Sequence, residues 1–177
     1  MNFIKKNKYY LHIAITLLVI VIIKIIDTHI KTDVCNDIAA YELAKDFDTS
    51  QAMVNAWTDN AKLWVAFDLG FDYLFILLYV SFIIISIQKV IVKIAQKSTI
   101  WIKIGKLLMY AQLAAGLFDA LENYYLFKIV LGAQNSAYPQ YAFWFASVKF
   151  LFVALGLLYL LISVVKYRKL IYLKQKN

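Results

Sequence analysis

The chain holds one cysteine, one proline and five glycines among its 177 residues. With Cys35 alone, no disulfide can form within the chain. A packed or free thiol is the expected state, with pairing to a second chain as the other option. The one proline, Pro139, falls in an expected loop, so none of the apolar runs carries a helix breaker. Only two histidines occur. His12 and His29 lie near opposite ends of one apolar run, and no His/Cys spacing indicates zinc or another metal. A glycine-rich phosphate loop, a nucleophile elbow and a helical His pair are all lacking, so the sequence implies no cofactor. Arg168 is the single arginine, and together with abundant isoleucine that usage points to an AT-rich bacterial genome.

Apolar side chains, by contrast, make up 63% of the chain. Four runs are each long enough to cross a bilayer: about Tyr9 to Ile26, Trp64 to Ile87, Leu107 to Phe127 and Tyr141 to Val165. They lack strict alternation, and so small a chain cannot close a β-barrel, so helices are expected to satisfy the backbone. The reading is an all-α, integral membrane four-helix bundle forming one domain over residues 1–177. Lys5, Lys6 and Lys8 before the first run imitate a signal peptide. The run is followed by Lys24-Ile25-Ile26-Asp27 with no small-residue cleavage site, so it is expected to remain as the first span.

The net charge of +8 does not read as nucleic-acid binding, because the lysines cluster beside apolar runs where anionic lipid headgroups lie. The N-terminal tail holds Lys5, Lys6 and Lys8. The second loop holds Lys89, Lys93, Lys97, Lys103 and Lys106, and the C-terminal tail Lys166, Arg168, Lys169, Lys174 and Lys176. None of these three segments contains an acid. The first loop instead carries Asp27, Asp33, Asp37, Glu42, Asp46, Asp48 and Asp59. Basic segments stay in the cytoplasm, which predicts both termini inside a bacterial cytoplasmic membrane.

The first loop, about residues 28–63, is too long for a simple connection and reads as helical. Asp37 can cap a short helix through Lys45, and Asp48-Thr49-Ser50 a second one carrying Met53, Val54 and Trp57 at helical spacing. Such helices would lie over the outer mouth of the bundle, as a lid or as a packed cap. Trp64, Tyr73, Trp101, Tyr138, Tyr141 and Trp144 fall near helix ends, where aromatic belts form. Lys24 is expected to snorkel.

Acids inside the spans are the informative feature. Leu107 to Phe118 is only about twelve residues, so the third span must include Asp119 and Glu122. The second span similarly takes in Asp72 and approaches Asp68, and the fourth contains Lys149. Each such charge costs about 2.5–3.5 kcal/mol at a helix centre. Asp72, Asp119 and Lys149 are each eight residues in from the outer end of their runs, a shared depth of about 12 Å. Asp68 and Asp72 share a face that continues inward to Phe75 and Tyr79. Asp119, Glu122 and Asn123 share another, with Gly116 one turn below. Four carboxyls against one ammonium require that some are protonated, that water reaches them or that a cation sits among them. The expected site is therefore Asp68, Asp72, Asp119, Glu122, Asn123 and Lys149, lined by Phe75, Tyr79 and Gly116. A buried Asp–Lys pair that only fixes helix packing is the alternative for Lys149.

The strings Tyr41-Glu42-Leu43-Ala44, Ala56-Trp57, Asp72-x-x-Phe75 and Tyr79 lead to Ala115-Gly116-Leu117-Phe118-Asp119-Ala120-Leu121-Glu122-Asn123 and then Lys149-Phe150. Over about residues 40–160 the chain resembles a group of small bacterial four-helix membrane proteins with an extracytoplasmic loop after the first span. That resemblance implies a fold and no activity. The long first loop, intramembrane acids and basic C-terminal tail are also similar to the EXPERA group, which includes sterol isomerases. This second likeness implies a lipid- or amine-binding pocket lined by acids.

The function expected from the residues is binding or transport of a cation, a proton or a small amphipathic molecule. Membrane lipids are the expected partners, with a small molecule or cation at the site, no nucleic acid, and a homo-oligomer possible. A membrane enzyme using carboxyl acid/base chemistry on a lipid or isoprenoid is the alternative. A structural accessory subunit is the third. An enzyme calls for a lateral apolar pocket, a transporter for an aqueous path.

Overall fold

The computed structural model describes residues 2–95 and 98–167, with side chains from Asn7 onward. Lys97, Arg168, Lys169, Lys174 and Lys176, counted above for orientation, lie outside the described residues, as do the side chains of Lys5 and Lys6. The chain is all-helical: α1 (Asn2–Ile30), α2 (Ile38–Glu42), α3 (Phe47–Ala56), α4 (Asp59–Lys93), α5 (Thr99–Val130) and α6 (Ala137–Lys166). Helices α1, α4, α5 and α6 are long and apolar enough to cross a membrane. Their outward faces carry exposed leucine, isoleucine, valine and aromatic side chains such as Leu77, Leu107 and Val165. On a protein in water such a surface would aggregate; in lipid it is the solvated face. This is a multi-pass membrane protein.

Local chemistry explains most helix boundaries. Asp37 accepts from the Ala40 amide and starts α2, which ends at Glu42 rather than reaching Lys45. The cap of α3 is Asp46, whose carboxylate accepts from the Thr49 amide at 2.7 Å, not the expected Asp48-Thr49-Ser50. Asp48 instead lies in the first turn, where its charge suits the helix dipole. That bond from Thr49 also holds the exposed Asp46 carboxyl below its usual pKa. Thr58 caps α4 through the Ala61 amide. Pro139, expected in a loop, sits in the first turn of α6, where its missing N–H has no intrahelical partner to lose.

Helix α5 is central, packed closely on both α4 and α6, while α1 leans on α4. Close approach is made by glycine. A Cβ at Gly116 would lie 2.9 Å from Val80 Cγ2, and one at Gly156 would lie 2.6 Å from the Gln112 side-chain nitrogen. Helices α1 and α6 share at most isolated contacts, which leaves the bundle open between them.

The first loop is a packed cap. Trp57 donates from its indole to the Ile30 carbonyl at 2.7 Å, and the Tyr41 hydroxyl donates to the Leu126 carbonyl at 3.2 Å. These two rings meet edge to face within a core that includes Cys35, Val54, Val65, Leu69 and Ile129. That core seals the end of the bundle on which α2 and α3 lie. Burial raises both the Tyr41 hydroxyl, well above its usual range, and the Cys35 thiol, to about 11.

Candidate functional site

Lys149, on α6, is the centre of the polar cluster. Its ammonium lies 2.7 Å from Asp119 Oδ1, 2.9 Å from Glu122 Oε2 and 3.3 Å from Glu42 Oε2. Asp119 and Glu122, three residues apart on α5, reach the ammonium from one face of that helix. The second oxygen of Asp119 accepts from the Tyr79 hydroxyl of α4 at 2.8 Å. Asp72, also on α4, joins through Asn123, whose amide donates to it at 2.7 Å. Lys149, Asp119, Glu122 and Asn123 are each 5% exposed or less. Glu122 is the least satisfied of them: its oxygen is close to the ammonium but off the line of an N–H bond, and its other oxygen has no partner.

The expected residues thus separate into three groups. Asp119, Glu122 and Lys149 meet directly, and Asp72 joins them through Asn123. Asp68 is buried at 2% exposure, yet it makes no contact with Lys149 and its Oδ1 has no hydrogen-bond partner. Gly116 is a correction. It does not line the cavity beside the site but brings α5 against Ile76 and Val80, as its lack of a side chain allows. Lys24, expected to snorkel, holds Asp27 at 2.6 Å at the cap end of α1.

Glu42 was missed as a site residue. In the sequence it is one loop acid among seven, and only its place beside Tyr41 on the capped helix α2 set it apart. The loop re-enters the bundle and carries Glu42 down to Lys149. Burial pushes the Glu42 carboxyl above the ordinary glutamate range; the Lys149 ammonium opposes this, and the Asp119 charge adds to it. A proton held by Glu42 would give the neighbouring Glu122 the donor it lacks.

Beside the cluster lies a cavity of about 480 Å³. Asp72, Asp119, Lys149, Glu42 and Tyr79 form its polar end, toward the cap. From there it runs away from the cap along Phe75, Phe82 and Ile83 of α4, with Val153 and Leu157 of α6 opposite and Ile13, Leu17 and Ile20 of α1 as the third wall. Leu17 on α1 and Leu157 on α6, both more than two-fifths exposed, border it where those helices stand apart. The cavity is apolar along its length and opens sideways, toward lipid.

No family model, curated protein or solved structure matches this chain. Among the described residues no three His, Cys, Asp or Glu side chains form a group suited to a metal ion. What the geometry offers is a set of fixed acceptors at one end of an apolar slot. Any group lying there is desolvated and met by carboxylates, which can orient a polar head or exchange a proton with it.

Proposed function

We propose that the protein takes a small amphipathic molecule sideways from the bilayer and holds its polar head against Asp119, Asp72 and Glu42. One observation carries this reading: the carboxylate–lysine cluster forms the end wall of an apolar cavity bordered by lipid-exposed residues of α1 and α6. The apolar core under α2 and α3 speaks against an aqueous route from that side to the cluster, so ion transport is the weaker reading. The excess of lysine over acid in the tails and second loop supports cytoplasmic termini in a bacterial inner membrane, with the cap outside.

A second reading keeps the same ligand class and adds chemistry. Tyr79 and Asp119 share a proton-bearing hydrogen bond on the cavity wall, and Asp72 stands on the same wall as a separate carboxyl, an arrangement suited to moving a proton on an apolar substrate. Conversion of the bound molecule on incubation would favour it.

Native mass spectrometry of the detergent-purified protein beside Asp119→Asn tests the main reading. A copurifying molecule at one per chain, depleted in the variant, is the expected result. Absence of any adduct from both, at equal stability, would leave a cluster that only packs helices.

A further inference from the structure

Glu42 and Glu122 reach the Lys149 ammonium from different parts of the chain, α2 in the first loop and α5 in the bundle. Their Oε2 atoms lie 3.3 and 2.9 Å from it, and the two carboxyls stand within hydrogen-bond reach of each other. Both residues are buried, and neither Glu122 oxygen has a donor. The ammonium is already engaged by Asp119 at 2.7 Å, and one cation balances one carboxylate. Two further carboxylates side by side, stripped of water, would repel each other. A single proton between them removes one charge and supplies the missing donor, because a protonated carboxyl donates one O–H bond.

The other charged groups nearby do not replace that proton. On α4, Asp68 and Asp72 are further acids, and Tyr79 donates to Asp119. On α1, Lys24 holds Asp27. Asp37 caps α2, and Asp48 of α3 is exposed. Among the described residues none brings a donor to Glu122.

The pair lies where the first loop meets the cavity, which Ile38, Ala39 and Glu42 of α2 help to line. This five-residue helix is held at its start by the Ile38 amide on Asp27 Oδ1 at 3.2 Å, and then by Tyr41 on the Leu126 carbonyl. At its last residue the hold is Glu42 on Lys149 and Glu122. Asp119 and Glu122 are fixed on one spanning helix, whereas Glu42 belongs to the loop, so repulsion within the pair moves Glu42.

We propose that Glu42 and Glu122 share one proton, and that the pair is a clasp holding α2 over the polar end of the cavity. Loss of the proton releases α2 and opens that end toward the cap side. The clasp stays shut at acidic and neutral pH and loosens as pH rises through the titration of the pair. It regulates the site of the lateral-binding reading but rests on the cluster geometry alone, and its test uses no ligand.

The test uses the full chain in phosphatidylcholine nanodiscs. A protonated carboxyl gives an infrared carbonyl band that a carboxylate lacks. At neutral pH, Glu42→Gln, Glu122→Gln and the double variant are each expected to remove the same band, because the acid left in either single variant ionises beside Lys149. Loss in only one single variant, or twice the loss in the double, would mean separately held protons. No loss in any would mean no proton. Each of these results would overturn the shared proton.

Release of α2 is read by hydrogen exchange at the Leu43 and Ala44 amides, which bond to the Ala39 and Tyr41 carbonyls. Protection is taken relative to the unfolded chain at each pH. In the parent it is expected to fall at least tenfold from neutral to alkaline pH while α5 stays protected. In Glu42→Gln and Glu122→Gln it is expected to hold, since a carboxamide donates to the remaining acid and does not ionise. Protection independent of pH in the parent, or an equal fall in the parent and both variants, would overturn the clasp.

Discussion

Glu42 Oε2 lies 3.3 Å from Lys149 Nζ, so a carboxyl from the first loop completes a site whose other members all come from spanning helices. This contact ties the cap to the bundle at the level of the cavity. It also means that the charge balance of the site depends on a residue that is not in a span. Lys149 is the shared counter-charge of Glu42, Asp119 and Glu122, and the consequences of removing it follow directly.

Lys149→Met should lose about 3–5 kcal/mol of stability, because three buried carboxyls are left without their cation. Neutralising the partners should restore much of that loss: the variant combining Lys149→Met with Glu42→Gln, Asp119→Asn and Glu122→Gln removes the uncompensated charge while keeping the shapes. Unfolding titrations in mixed micelles measure both. A single variant as stable as the parent would show that the cluster is not the charge-coupled unit described above.

Glu42 also sets a pH dependence. Its folded pKa is raised by burial, so the unfolded chain releases this proton first as pH rises. Above the ordinary glutamate range the folded state then holds more protons than the unfolded one, and stability falls with rising pH until the folded carboxyl itself ionises. Its contribution is fully present below the unfolded pKa of about 4.3. Glu42→Gln should flatten this part of the stability–pH curve, above the ordinary glutamate range. An unchanged slope would assign the dependence to other groups.

The membrane fold was legible because apolar run length and the lack of proline within the apolar runs leave little choice in lipid. Shared depth likewise brought Asp119 and Lys149 together, since residues equally far from helix ends in antiparallel spans meet at one level. Glu42 was not legible. Its position depends on the loop turning back into the bundle, held by the Trp57 bond to Ile30 and the Tyr41 bond to Leu126, and such long-range contacts leave no periodic trace. Gly116 misled for a related reason: a small residue one turn below Asp119 suits a cavity and a helix contact equally, and only the facing Val80 decides between them. The slot itself arises because α1 and α6 share at most isolated contacts, a property of helix placement that no single residue encodes.

Cys35 is 1% exposed, and its Sγ lies 3.4 Å from the Asp37 carbonyl. Burial raises its pKa to about 11, so at neutral pH it holds little of the reactive thiolate. A membrane-permeant maleimide should label the native protein at least tenfold more slowly than the denatured chain. Rapid native labelling would mean that the cap opens in solution and would turn the packed cap into a lid.

The sharpest packing test lies where α5 crosses α6. A methyl group at Gly156 would lie 2.6 Å from the Gln112 side-chain nitrogen, which donates to the Phe152 carbonyl at 2.7 Å in a buried setting. Two effects of opposite sign compete in Gly156→Ala. Helix propensity favours alanine by about 1 kcal/mol, while displacing the buried amide from its acceptor costs about 1–3 kcal/mol. Displacement should win, giving a net loss of up to about 2 kcal/mol. In a Gln112→Ala background the obstruction is gone and the propensity term remains, so the same substitution should become neutral or stabilising. A double-mutant cycle on unfolding free energies reads this reversal directly. An equal effect of Gly156→Ala in both backgrounds would show that Gln112 is not what requires glycine there, and would shift the constraint to Ile83 of α4, whose Cγ2 would lie 3.1 Å from the same Cβ.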